Sequence, residues 1–272
     1  MVLTSWSQFY KKQGVDLERI RAVALAAAAR AGVILRNYWG KTQSVEKKGA
    51  INLVTEADLA SERAIIHLIR TAFPEHTVVA EESGITLGTD PHEWIIDPLD
   101  GTTNYAHSLP EFSVSIAFAC EGDPVFGLVL NPVTRELFCG ARGQGATLNG
   151  RPIRVSRSQR VSESLLVTGF PYEMQPVLRA LMSRFERCLM AAQGVRRLGS
   201  AALDLCYVAC GRFEGFWEQN LAPWDTAAGV VIAQEAGASI SDFSNTPYST
   251  KKKEILATNG LIHQELLALL TL

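Results

Sequence analysis

Two aspartates stand three residues apart in Asp97-Pro98-Leu99-Asp100-Gly101-Thr102-Thr103-Asn104, directly after the apolar run Trp94-Ile95-Ile96. The pattern predicts a buried strand that ends on carboxylates and gives way to a Gly-Thr-Thr turn. Carboxylate oxygens are the ligands that hard cations such as Mg²⁺ prefer, and backbone N–H groups at Gly101, Thr102 and Thr103, if they open a short helix, would face an anion. Metal and phosphate chemistry would then share one turn. Pro98 pushes Asp97 toward extended backbone, which keeps its carboxylate along the strand direction. Gly101 admits backbone angles, or a close ligand approach, that a side chain would block. The plainer alternative is that Asp-Pro and Asp-Gly are ordinary turn dipeptides and that Thr102 caps a helix.

Company elsewhere in the chain favours the chemical reading. Thr77-Val78-Val79-Ala80-Glu81-Glu82-Ser83-Gly84 reads as a β-branched strand ending in acids before a glycine, so Glu81 can join Asp97 around one cation. Ala222-Pro223-Trp224-Asp225-Thr226-Ala227-Ala228-Gly229 begins an apolar helix with Asp225 in its first turn and Trp224 as a packing anchor. Asp225 either completes a second cation's shell or only complements the helix dipole. Asp58 is similarly open, because Thr55-Glu56-Ala57-Asp58 has the form of a capping box.

An acid, then Glu-Glu, then D-P-x-D-G-T, then W-D-x-A-A-G occur in that order as Asp58, Glu81-Glu82, Asp97 to Thr102, and Trp224 to Gly229. In this the chain resembles the inositol monophosphatase family of lithium-sensitive, Mg²⁺-dependent phosphatases. The matched pieces span residues 58–229 without departure at the acidic positions. The resemblance implies an α+β / α/β fold of alternating helix and sheet layers: residues 1–150 as an α+β half with most metal ligands, and 151–272 as an α/β half with Asp225 and the substrate contacts. It also implies two or three Mg²⁺ per site: one on Glu81, Asp97 and the Leu99 carbonyl, one on Asp97, Asp100 and Asp225, and a looser one near Glu81 through Glu82.

By the same resemblance, Asp58 and Thr102 act together near the attacking water, with Glu81 as a further catalytic acid and no covalent intermediate. Amides of Gly101, Thr102 and Thr103 bind phosphate, and Gly199, Ser200, Ala201 and Glu218 contact the alcohol portion. Lys47 aligns with a site lysine by its offset from Asp58, although a solvated loop lysine explains it equally well. Glu218 follows Phe213-Glu214-Gly215-Phe216-Trp217, where a period of two would also put Glu214 and Glu218 on a polar strand face. The implied substrate is a small phosphate monoester, inositol monophosphate first. Histidinol phosphate, fructose 1,6-bisphosphate, a nucleotide 3'-phosphate, or a regulatory binding role on the same fold are the alternatives. A homodimer and lithium inhibition are further implications.

Composition narrows the field. With 272 residues, 47% of them hydrophobic, the chain can bury a large core, and its net charge of −2 argues against a dedicated nucleic-acid binder. The basic clusters Lys47-Lys48, Arg196-Arg197 and Lys251 to Lys253 read as solvated faces. Five cysteines, with neither C-x-x-C nor a zinc-like spacing, read as reduced core thiols; Cys206 and Cys210 share one helix face. No apolar stretch reaches the roughly 20 residues needed to span a bilayer. Val23 to Ala29 reads as the packed face of a helix rather than a signal segment, and a cytoplasmic location is expected.

These chemical residues need elements to hold them. Periodicity predicts helices over Val15–Asn37 and Glu56–Ala72 with a polar loop between, then strands over Thr77–Ala80, Glu93–Ile96, Phe112–Cys120, Pro124–Leu130, Glu136–Cys139 and Gly145–Leu148. The short turns at Glu121-Gly122-Asp123 and Asn149-Gly150 predict antiparallel pairing. After Arg151 strand and helix alternate: Leu165–Thr168, helix Val177–Ala192, Val195–Leu198, helix Ala201–Cys210, Phe213–Glu218 and helix Asp225–Ala236. Layered architecture follows.

Overall fold

Asp16 starts the first long helix by accepting the Arg19 N–H at 3.1 Å, an N-cap that satisfies one orphan donor. In the computed structural model, which describes residues 6–41, 45–47, 53–171 and 173–272 (without side chains at 45–47 and 53–55), this helix is α2, Leu17–Tyr38, preceded by α1, Trp6–Lys12. The strands β1 (Val45–Lys47) and β2 (Leu53–Thr55) pair as a small antiparallel ribbon in what reads from sequence as a loop. Then comes α3, Glu56–Ala72. Its buried side chains Ala57, Asp58, Ser61, Glu62, Ile65 and Ile69 recur at helical spacing, with the polar ones at the site end.

Eight strands then build the larger sheet: β3 (Thr77–Ala80), β4 (Gly84–Thr86), β5 (His92–Asp100), β6 (Ser113–Cys120), β7 (Asp123–Asn131), β8 (Glu136–Ala141), β9 (Gly145–Leu148) and β10 (Arg151–Pro152). Their order is β10-β9-β8-β7-β6-β5-β3-β4, antiparallel throughout except for β3 beside β5. Both predicted tight turns are present. Glu121 and Gly122 have φ of 53° and 85°, and Asn149 and Gly150 have 50° and 76°, the left-handed pairs that suit hairpin twist. A short helix α4, Thr102–Ala106, leaves β5 toward β6.

The smaller sheet runs β12-β11-β13-β15-β14, from β11 (Leu165–Thr168), β12 (Gly194–Arg196), β13 (Gly215–Gln219), β14 (Ser239–Ser241) and β15 (Glu254–Thr258). Here β11 is parallel to β12 and β13, while β15 is antiparallel to β13 and β14. Helices α5 (Leu178–Ala191), α6 (Ala201–Ala209), α7 (Pro223–Glu235) and α8 (His263–Leu270) complete the chain.

Alternation along single strands sorts these elements into layers. Ile96 joins the core under α2 and α3, whereas Ile95 joins the core shared with α6 and α7; Val167 and Phe216 reach that same middle core from the smaller sheet. Leu166, Trp217 and Leu256 point the other way, onto α5 and α8. The order is therefore helix, sheet, helix, sheet, helix, with α6 and α7 buried between the sheets. No described helix is long and apolar enough to cross a membrane.

One close approach matters for the site. A Cβ on Gly127 of β7 would lie 2.3 Å from the Ala228 carbonyl oxygen, so the missing side chain lets α7 sit on the large sheet. That seating carries Asp225, in the first turn of α7, toward the end of β5. Trp224 packs into the middle core, as its anchor role requires.

Candidate active site

The aspartate pair does not wait for the strand to end. Strand β5 extends through Asp100, with its pairing to β6 irregular between Asp97 and Asp100, which corrects the turn expected from sequence. Asp97 accepts the Leu99 N–H at 2.9 Å, a local bond that turns the intervening backbone, while Ser61 of α3 donates to the Pro98 carbonyl at 3.0 Å. Gly101, at φ 96°, is the N-cap of α4, and no side chain caps that helix. The capping alternative for Thr102 therefore fails. Its hydroxyl lies 3.2 Å from Asp58 Oδ1 and 3.0 Å from the Leu99 carbonyl, free to donate to either.

Asp58 is fully buried on α3, so it is an internal partner for Thr102 rather than a solvent-facing helix-start acid. The side chains of Lys47 and of Thr55, the start of its possible capping box, and all of Lys48 lie outside what the structure describes. Glu81 follows β3, and its N–H donates to the Ile96 carbonyl at 3.2 Å, which ties it to β5. The Glu82 N–H donates to Glu62 Oε2 at 2.9 Å.

Asp100 is held from the other half of the chain. Its Oδ2 accepts the Ser200 hydroxyl at 2.5 Å and the Ala202 N–H at 2.8 Å. Asn104 of α4 donates to the Leu198 and Glu111 carbonyls, each at 2.7 Å, and a Cβ on Gly101 would come within 3.2 Å of the Gly199 oxygen. The segment before α6 is thus pressed onto the aspartate turn, and Ser200 holds a carboxylate rather than facing an open subsite.

Asp225 Oδ2 accepts the Ala222 N–H at 2.7 Å, so the helix-terminus role expected as an alternative is real. It does not exclude the other. Glu81, Asp97, Leu99, Asp100, Gly101, Thr102, Gly199, Ala201, Glu218 and Asp225 all line one pocket, joined by Gly169, Phe170, Arg197 and Leu221. Thr103 is next to this wall but exposed. Glu218 is 7% exposed and faces the pocket, which removes the polar-face alternative, whereas Glu214 accepts the Leu165 N–H at 2.7 Å.

The electrostatics of the pocket follow from its burial and its crowded acids. Burial, then the charges of Glu81, Asp100 and Asp225, push Asp97 up from the ordinary carboxylate range. Burial and then Asp100 raise Asp225. Burial lifts Asp100 to about 6 even though Ser200 and the Ala201 and Ala202 amides oppose it, and lifts Glu218 to about 8. Crowded carboxylates without a cation are a costly arrangement. Their oxygens, with the Leu99 carbonyl, form a hard donor set that fits Mg²⁺. No trio of these acids has ligand atoms mutually within 4.8 Å, a spacing met among the described residues by His76, Asp90 and His92 at the opposite end of β5. Water oxygens would therefore complete a shell here, as Mg²⁺ commonly keeps several.

Sequence reasoning missed Arg197, Phe170, Gly169, Leu221 and the buried Asp204. Arg197 was expected on a solvated face; it is exposed, yet its guanidinium lines the pocket. A pair of adjacent arginines carries no signal for which one turns inward. Asp204, on the buried α6, has no hydrogen-bond partner among the described residues at either carboxylate oxygen, and burial followed by Glu218 raises it well above the ordinary range.

Comparison with known proteins gives the family and the fold. The model of the inositol monophosphatase family matches residues 16–271. The chain belongs to that family. It is 47% identical over 253 residues to an inositol-1-monophosphatase of Synechocystis sp., covering 92% of this chain and 88% of that protein. It is also 41% identical over 249 residues to the Nus factor SuhB of Escherichia coli, covering 90% of this chain and 93% of that one. Among solved structures, an inositol monophosphatase from Anabaena (Nostoc) superposes with a TM-score of 0.86 at 44% identity, covering 94% of this chain and 96% of the other.

Proposed function

We propose that this family member is a Mg²⁺-dependent phosphatase that hydrolyses a small phosphate monoester, with inositol monophosphate the first candidate. The observation that carries the reading is the convergence of Glu81, Asp97, Asp100 and Asp225 on one pocket beside the Thr102–Asp58 pair. Acids from the end of β3, from β5 and from α7 have no structural need to meet, and their mutual repulsion calls for cations.

Glu81, Asp97 and the Leu99 carbonyl would hold one Mg²⁺, and Asp97, Asp100 and Asp225 a second once their carboxylates draw inward from the wider spacing described above, with Glu82 near a looser third. Bound there, Mg²⁺ supplies neutralisation of phosphoryl charge and a lower pKa for water, the two needs of a very slow uncatalysed hydrolysis. The chain's own groups do the rest. The amides of Gly101, Thr102 and Thr103 would orient the phosphate at the start of α4, where helix N–H groups lack carbonyl partners. Thr102 would hold the attacking water and pass its proton toward Asp58, within reach at 3.2 Å. Glu218, kept largely protonated at neutral pH by burial, offers both a donor and an acceptor to alcohol hydroxyls. Direct in-line attack needs no covalent intermediate.

Phosphate release measured with Mg²⁺ across inositol 1-phosphate, histidinol phosphate, fructose 1,6-bisphosphate and adenosine 3',5'-bisphosphate tests this. Release well above background that vanishes with chelator is expected; none on any substrate would sink the reading. A second reading, regulatory binding, rests on the similarity to the E. coli Nus factor SuhB. A pull-down that retains its partners with Asp97→Asn while turnover is lost would add that role.

A further inference from the structure

Among the described residues Arg197 is the one cation lining an acidic pocket, and none of the described acids there pairs with it. Its field bears on Asp100, Asp204 and Glu218, but among the described residues no carboxylate lies within ion-pair distance of it and no acceptor takes a hydrogen bond from it. An arginine has five donors in a planar fork suited to oxyanions, and here they are unspent.

Two neighbours flank the guanidinium. Its central carbon stands 5.9 Å from the Phe170 ring centroid, and its Nη1 would be 2.5 Å from a Cβ on Gly199, whose φ is 92°. A glycine at that position lets the fork lie against the backbone beside Gly101. On the same wall a Cβ on Gly169 would meet Glu218 Oε2 at 1.9 Å, so that glycine leaves room for the Glu218 carboxyl. Arg197 and Glu218 thus line the same pocket, beside Gly199 and Gly169 respectively.

We propose that Arg197 is a specificity-determining residue that binds a second oxyanion, phosphate or carboxylate, on the alcohol portion of the substrate, while Glu218 takes a hydroxyl. The inference rests on the phosphatase reading above. The phosphate being cleaved is served by the α4 amides and the acid-bound cations, which leaves the guanidinium for another anion. A bidentate, charge-assisted pair suits this role. Phosphorylated polyols or hydroxy acids with two anionic ends would then be preferred over neutral-tailed esters.

Matched pairs test it. Fructose 1,6-bisphosphate against fructose 1-phosphate isolates a second phosphate, and glycerate 2-phosphate against glycerol 2-phosphate isolates a carboxylate. The quantity read is the ratio of kcat/KM within each pair, for the native chain, Arg197→Gln and Arg197→Lys. The native chain should favour the doubly anionic member. Arg197→Gln should shrink at least one ratio by about tenfold or more, mainly through KM, with Arg197→Lys in between. The pair that responds identifies the oxyanion. Ratios that stay within about twofold of native in both pairs overturn the proposal. Calorimetric binding of the same four ligands in Ca²⁺ gives the ratio independently of turnover. A chain that binds with the expected ratio but never releases phosphate contradicts the phosphatase reading and supports this one.

Discussion

Ser200 donates its hydroxyl to Asp100 at 2.5 Å, joining residues 100 positions apart and fastening the start of α6 to the end of β5. The Ala202 amide adds a second bond to the same oxygen. A buried carboxylate so held keeps one direction, which a cation site requires. Removing the hydroxyl with Ser200→Ala should lower kcat about tenfold and stability by about 1–2 kcal/mol, with KM changing less. Steady-state kinetics alongside urea denaturation checks both, and unchanged kcat would show that the amide alone suffices.

Asp97 stands in the field of three other acids. Asp97→Asn keeps an oxygen for the Leu99 amide while removing a repelling charge. Turnover should fall by about 10²- to 10³-fold or more, and the melting temperature measured in chelator should equal or exceed that of the native chain. Substantial Mg²⁺-dependent turnover in this variant would remove Asp97 from the mechanism.

On the proposed reading Mg²⁺ should stabilise the fold, because it would bind the assembled acids and not the unfolded chain. At a hundred times its dissociation constant the gain is about 2.7 kcal/mol. Thermal melts with Mg²⁺ and with chelator should therefore separate by several degrees, and Asp225→Asn should narrow the gap. Coincident melts would argue against a cation site.

Gly101 adopts φ 96°, and a Cβ there would stand 2.9 Å from the Glu111 oxygen. Gly101→Ala should cost about 1–3 kcal/mol and reduce activity together, since the strain falls on the turn that carries Asp100 and Thr102. Denaturation midpoints and phosphate release report the two effects.

Burial lowers the pKa of His263 below its ordinary 6.5, and the ring lies 2.9 Å from Thr258 Oγ1 and 3.1 Å from Ser241 Oγ. The unfolded chain binds this proton more readily than the folded one. The contribution is thus present above about pH 6.5 and is lost as pH falls through that value toward the folded pKa. His76 is lowered by burial as well and adds with the same sign. Denaturation at pH 7.5 and 5.5 should show the loss, smaller in His263→Gln; an equal pH dependence in that variant would assign the effect elsewhere.

Elements with strong local signals were legible. The helix expected over Glu56–Ala72 and the strand over Thr77–Ala80 match the observed bounds, because amphipathic spacing and β-branched residues act over a few positions. Strand β13 shows the limit. Its five residues are all buried, since α6 and α7 cover one face and α5 and α8 the other, so alternation has no polar face to display and Glu218 could not be placed. The Asp97–Asp100 segment read as a turn because Pro and Gly are turn residues, whereas β6 pairs with it across an irregularity. Strands β4, β14 and β15 and helices α1 and α8 were not anticipated. Strands β4 and β14 have three residues each, and α8 begins after Ile262, which offers no side-chain cap.

By itself, the order of acidic motifs determined the family, the kind of donor and the residues to examine, because side-chain chemistry is carried by each residue wherever it lies. Tertiary structure alone decided that Ser200 serves Asp100, that Glu218 faces the pocket and that Arg197, not Arg196, lines it. Those outcomes depend on how α6, α7 and the two sheets pack, and distances between residues remote in the chain exist only once that packing does.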